Sequence, residues 1–338
     1  MASSDPKTHQ PPGDKTFDRL YIFFCLLLTA GAYVDAWAHN HLRIASENFF
    51  TPWHAMLYTS LFLVVTLFVR QIFVNRKRGF PWREILPCEY MASLYGIGVF
   101  LVAGASDMVW HLLFGIETDI DVYLSPTHLL LILGGIMIVS APLRRIWYRQ
   151  PNQTPWSSVA SLSFVFLLLS HITGYLQPYK NPFMSSLFQN FGTIGKIAGG
   201  AQTIFFSALC VGLILSIIRQ FAFPPGSLTL LFVLHAIGMA VVQDHYIFIA
   251  TGLIAGSAID LLYQMLERNI KRTNALRIFG FFAPILFFAA YTATTLVAYG
   301  TWWSIHMITG TLLLAGGTGY LMTFLVVLPS GAELPSKL

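Results

Sequence analysis

The stretch ASLYGIGVFLVAGASDMVWHLLFGIETDIDVYLSPTHLLLILGGIMIVSAPLRR, Ala92 to Arg145, decides the fold. Two apolar runs of the length that a bilayer-spanning helix needs flank a short acidic turn, and the second run stops at paired arginines. The runs are continuous rather than alternating in polarity, so each reads as a helix and not as a barrel strand. The stretch is a helical hairpin that enters and leaves a membrane.

The same pattern recurs along the 338 residues, which are 55% hydrophobic and only 10% charged, with a mean hydropathy of +0.64. The chain reads as an all-α integral membrane protein, a polytopic bundle of about ten transmembrane helices built from hairpins. The expected spans are 18 to 41, 50 to 74, 88 to 114, 123 to 143, 156 to 176, 193 to 219, 227 to 243, 245 to 266, 276 to 298 and 302 to 328. Residues 1–17 are polar and Pro-containing, as in a disordered cytoplasmic tail, and 18–328 form the transmembrane domain. Within it, hairpins at 18–145 carry the candidate sites, further hairpins fill 156–328, and 329–338 form a second cytoplasmic tail. No small-residue cleavage site follows the first apolar run, which is expected to stay as an anchor.

Basic residues set the orientation. Of the 20 Lys and Arg, all but Arg43, Lys180 and Lys196 fall on the side of the two termini, which the positive-inside rule places in the cytoplasm. The net charge of +5 is this topological signal and not a nucleic-acid footprint. Cys25, Cys88 and Cys210 lack the spacing of a thiolate metal site or a disulfide framework.

Against this apolar background a motif is written twice. Asp35 and His39, and likewise Asp107 and His111, stand four apart near the outer end of a helix, so each pair shares one helical face. Thr51-Pro52 and Ser125-Pro126 read as an N-cap followed by Pro at the first helical position, which puts His54 and His128 in the first turn of the returning helix. A hairpin then brings one carboxylate and two imidazoles together, at one membrane depth, in two copies. An ionisable group within a span costs roughly 2.5–3.5 kcal/mol on insertion scales, and metal binding offsets that cost. Imidazole and carboxylate suit copper, zinc, iron or nickel, and three ligands leave a coordination position open.

The two motifs resemble the paired copper-site motifs of the C subunit of particulate methane and ammonia monooxygenases. In that family an Asp or Asn precedes a His by four, a second His follows about a dozen residues later, and neighbouring hairpins supply adjacent sites. The resemblance covers roughly residues 30 to 130. It implies copper near the outer membrane face and oxidation of a small apolar substrate. The gaps from His39 to His54 and from His111 to His128 are longer here, the second motif begins with Asp, and the expected spans are more numerous.

Other residues are secondary candidates. Glu117, Asp119 and Asp121 crowd the outer turn before Ser125, where Glu117 and Asp121 are the better additional ligands and a solvated acidic loop is the plainer reading. Glu47 and His41 lie in the first turn, with His41 read as interfacial. His245 and His306 are further candidate ligands, His171 and His235 read as packing, and Asp244 as a helix cap. Trp37, Trp53, Trp110, Trp302 and Trp303 form an interfacial aromatic belt, and Gly134-Gly135, Gly199-Gly200 and Gly316-Gly317 are expected to admit close helix packing.

The reading is a multi-pass protein of the cell membrane with a metal site near the extracytoplasmic face, serving a copper-dependent oxidase or monooxygenase, or a subunit of one. A metal transporter or chaperone, and a haem-binding electron-transfer protein, are the alternatives. Expected partners are the lipid bilayer, partner subunits or a second copy of the chain, and an external electron donor if the site is redox active.

Overall fold

The computed structural model describes residues 14–42, 50–115, 124–173, 192–270 and 273–326, and the described residues are helical throughout their regular elements. The chain divides into two compact units, Met1–Gly174 and Tyr175–Leu338. The first holds α1 (Lys15–His41), α2 (Pro52–Lys77), α3 (Cys88–Phe114), α4 (Pro126–Val139), α5 (Ala141–Arg149) and α6 (Trp156–Ile172). The second holds α7 (Gly192–Ile218), α8 (Ser227–Val242), α9 (Phe248–Leu266), α10 (Thr273–Tyr299) and α11 (Ile305–Val326).

Among the described residues, seven helices are long and apolar enough to cross a membrane, or eight with α4 and α5 taken as one span bent by 43°. The protein is therefore a helical membrane protein. The helices of 156–171 and 227–242 are apolar but shorter. Helix α1 begins at Lys15 because Asp14 caps it, accepting from the backbone N–H of Thr16 at 2.9 Å and of Phe17 at 3.4 Å. Four of the expected hairpins pack as pairs: α1 with α2, α3 with α4, α8 with α9, and α10 with α11. Within the first unit α6 packs on α1, α4 and α5, and within the second α7 packs on α10 and α11.

The bend between α4 and α5 has a local cause. Pro142 has no N–H to give to the Ile138 carbonyl, so the helical ladder breaks there. Other helices take up the freed carbonyls, as an apolar surrounding demands. Tyr21 of α1 donates its hydroxyl to Ile138 O at 2.6 Å, Ser93 of α3 donates to the same oxygen at 3.1 Å, and Ser161 of α6 donates to Val139 O at 2.6 Å.

The bend also delivers arginines to the buried Glu89 and the part-buried Asp18. Arg149 reaches Glu89 at 2.8 Å, Arg145 reaches Glu89 at 3.4 Å and pairs with Asp18, and Tyr90 donates to Asp18 at 2.6 Å. Arg144 donates to Glu89 O and to Ser93 Oγ, each at 2.8 Å. This latch ties α1, α3 and α5 at the end of the unit where Asp18 and Glu89 stand. Asp35 is 17 residues further along α1, about 26 Å away at the helical rise.

Glycine sets the closest approaches. A Cβ on Gly96 would fall 2.9 Å from Gly134 O, and one on Gly134 would fall 2.9 Å from Gly96 O, so α3 and α4 touch backbone to backbone. Gly316 likewise faces Ile285. Gly200 and Gly317 do not serve the packing expected of them, because nothing lies within 4 Å of a Cβ built there.

Candidate metal centres

In the first hairpin the last turns of α1 present Asp35 and His39 on one face, and the first turn of α2 presents His54. Thr51 fixes that turn by accepting from His54 N at 3.2 Å, with Pro52 at the first helical position. Asp35 Oδ1 lies 3.6 Å from His39 Nε2 and 3.2 Å from His54 Nε2. The imidazole rings stand 5.7 Å apart at 52°.

The second hairpin repeats this arrangement. Asp107 Oδ2 lies 3.4 Å from His111 Nε2, Asp107 Oδ1 lies 3.4 Å from His128 Nε2, and the rings stand 5.8 Å apart at 53°. In each triad a ligand atom from every member lies within 4.8 Å of the others, and these are the groups of such ligands among the described residues. All six residues expected from the sequence are thus brought together as two sets of three.

The donor sets fit a first-row metal ion. Ligand atoms about 2.1 Å from a tetrahedral ion are about 3.4 Å apart, and the carboxylate-to-imidazole separations of 3.2–3.6 Å bracket that value. Asp35 Oδ1 is buried and, although two imidazole nitrogens approach it, it accepts no hydrogen bond. A cation among the three atoms would satisfy that oxygen.

The triads differ in their supports. Thr127 donates its hydroxyl to Asp107 Oδ1 at 2.7 Å, and Ser125 Oγ lies 3.0 Å from Thr127 Oγ1. The single Thr127 proton is committed to the carboxylate, so Ser125 is the donor to Thr127. Ser125 therefore makes no side-chain cap on α4, contrary to the expectation that it would act as Thr51 does. Trp53 occupies the position matching Thr127, and its buried indole Nε1 makes no hydrogen bond.

Two further residues face the triads that the motif alone does not reveal. Tyr58, one turn beyond His54, has its ring 6.5 Å from the His54 ring and packs on Gly104, one turn before Asp107. Its phenol is within electrostatic reach of both Asp107 and Asp35, and Asp35 is within reach of His128, Asp107 and His111. His171 of α6, expected to be a packing residue, has its ring 5.8 Å from Tyr33 and lies within electrostatic reach of His128 and His39. Its position in the last turn of an apolar helix was the signal available in the sequence.

The other candidates among the described residues join no group of three ligands. His41 stacks on Trp37 with ring centroids 4.9 Å apart and hydrogen-bonds Trp37 O at 2.7 Å, as an interfacial residue does. His245 packs against Phe248 and Tyr299, and neither it nor His306 stands in a group of three ligands among the described residues. Asp244 follows the C-cap of α8 in the left-handed region, and the next N–H, that of His245, closes the helix end on Ala240 O at 3.0 Å. His235 is buried beside Phe206. Trp303 is 5% exposed and leaves the belt to which the sequence assigned it, whereas Trp302 is exposed. Glu47, Glu117, Asp119 and Asp121 lie outside the described residues.

In comparisons with protein families, with curated proteins and with solved structures, nothing matches this chain.

Proposed function

We propose that this protein is a copper-dependent oxidase or monooxygenase of the cell membrane, or a subunit of one, acting on a small apolar substrate at the extracytoplasmic face. The observation that carries the proposal is the duplicated Asp-His-His triad, with matching distances and ring angles in two hairpins. A donor set of imidazole and carboxylate without thiolate suits copper, and the motif's resemblance to the C subunit of the particulate monooxygenases points to the same metal. Copper, when bound, supplies a redox-active Lewis acid with a free coordination position.

The chain's own residues hold and shield that position. Each Asp stands beside two imidazoles, and the Tyr58 ring lies between α2 and α3. Leu112, Leu113 and Phe114 beside His111 are each about 70% or more exposed to the surroundings of the helix, an apolar approach for a substrate dissolved in lipid. The carboxylate placed between two imidazoles argues against a haem, whose axial imidazoles stand on opposite faces of a macrocycle.

We read ten spans, made by the seven long helices, the bent pair and the two shorter apolar helices, with both termini in the cytoplasm. The latch arginines at the end of the first unit away from the triads support that orientation. Elemental analysis of the detergent-purified chain, with visible and paramagnetic spectra, tests the proposal. About one copper per triad with a Cu(II) signal is expected. A chain that takes up no copper overturns it, and a Soret band would establish the haem reading in its place.

A further inference from the structure

The two triads share ligands and geometry but differ at one matched position, and the difference is chemical. Thr127 and Trp53 each precede the His of the returning helix. From that position Thr127 reaches the carboxylate of its own triad, so Asp107 is held by a hydrogen bond, backed by Ser125, before any ion arrives. Asp107 is also 2% exposed, which shields that bond from water. Hydrogen bonds of this kind fix ligand orientation, and their loss costs about 10–100-fold in metal affinity.

In the first hairpin the same position carries an indole. Trp53, next to His54 in the sequence, carries a donor at Nε1 and Asp35 an acceptor at Oδ1, both buried and both without a hydrogen bond. They do not satisfy each other. An unmade hydrogen bond leaves the desolvation cost of a buried group uncompensated, so each of these atoms favours an incoming partner of the opposite kind. For the carboxylate that partner is a cation; for the indole N–H it is a hydrogen-bond acceptor. Trp donates and cannot accept, which restricts the second partner to an anion or another species with a lone pair.

Resting on the metal reading given above, we propose that the centres are functionally unequal: the Asp107 triad is the pre-organised, tighter metal holder, and the Asp35 triad is the centre that admits a small acceptor ligand, hydrogen-bonded by Trp53. Thr127 is a positioning residue for the first role. Trp53 is a ligand-contacting residue for the second. The duplication therefore has divided its labour between holding a metal and presenting one.

The full chain in detergent, titrated with Cu(II) and then with azide as a small anionic acceptor, tests this. Wild type should show two affinity classes, the tighter lost in Asp107→Ala and kept in Asp35→Ala. Thr127→Val should weaken the tighter class by about 10–100-fold and leave the weaker class unchanged, with Thr127→Ser restoring it. The azide-to-copper absorption band should belong to the Asp35 centre, and Trp53→Phe should raise the azide concentration needed for half-saturation by about tenfold. In that variant an unchanged tight copper class reports an intact fold. Equal affinities at the two triads, azide binding at the Asp107 centre, or an azide response indifferent to Trp53→Phe overturns this inference while leaving the copper sites in place. A chain that binds no copper at either triad overturns both the inference and the reading on which it rests.

Discussion

The phenol of Tyr58 lies on Gly104: a Cβ built at Gly104 would stand 2.8 Å from both Oη and Cε1 of the ring. Hydrogen at position 104 is thus a condition for the ring to sit between His54 on its own helix and Asp107 on the next.

Gly104→Ala should therefore displace Tyr58 and destabilise the protein by about 1–3 kcal/mol, the range for overpacking a well-filled site. Thermal unfolding in detergent measures it. Tyr58→Phe, which keeps the ring, should be milder in unfolding. In the copper-loaded chain the paramagnetic spectra of both proposed centres should change in Gly104→Ala, and a change at one centre alone would show that the ring does not stand between them.

Loss of a triad carboxylate should remove one metal without unfolding the bundle, because these ligands lie at helix ends. Asp35→Ala and Asp107→Ala should each lower bound copper by about one per chain. His171→Ala should leave the count unchanged, since His171 belongs to neither triad. Metal analysis after gel filtration distinguishes these outcomes, and full retention by both Asp variants would remove the basis for the proposed function.

Breaking the latch should affect stability and spare the metal. Glu89 is 2% exposed and meets Arg145 and Arg149, so Glu89→Ala takes the carboxylate from Arg149 and leaves Arg145 with Asp18. The cost is expected at about 3 kcal/mol, the lower end for a buried pair, because Arg149 is itself 42% exposed. Copper content measured on the surviving folded fraction should match wild type.

In the second unit Asp260 of α9 caps a different helix, accepting from Gly226 N at 2.8 Å and Leu228 N at 3.0 Å at the start of α8. Asp260→Ala should destabilise by about 1–2 kcal/mol, as loss of an N-cap does. Hydrogen exchange should rise first in the opening turn of α8.

Orientation is checked by labelling. Phe50 and Arg78 are exposed at opposite ends of α2. On a background without native thiols, a cysteine at position 50 should react with an impermeant reagent from outside intact cells, and one at position 78 should not. The reverse result would move both triads to the cytoplasmic face.

The helices were legible in the sequence because each apolar run carries its own length and its own stops. Cys88 to Phe114 matches the expected span, and Pro52 and Pro126 mark helix starts through an effect confined to a few residues. The six triad residues were legible for the same reason: four residues along a helix always return to one face, and a short hairpin turn brings the returning helix alongside. Pairings between distant segments were not. The break at Pro142 falls inside the expected span of 123 to 143, and only the assembled unit shows Tyr21, 117 residues away, taking up the carbonyl it frees. The hydroxyl of Ser125 could cap its own helix or turn to Thr127, and the nearness of Asp107 decided it. Nothing local tells Thr127 from Trp53 as a carboxylate partner, or places Tyr58 on Gly104. Sequence spacing specifies which side chains share a helix face; which group satisfies each buried donor and acceptor depends on the neighbouring helices that exclude water from it.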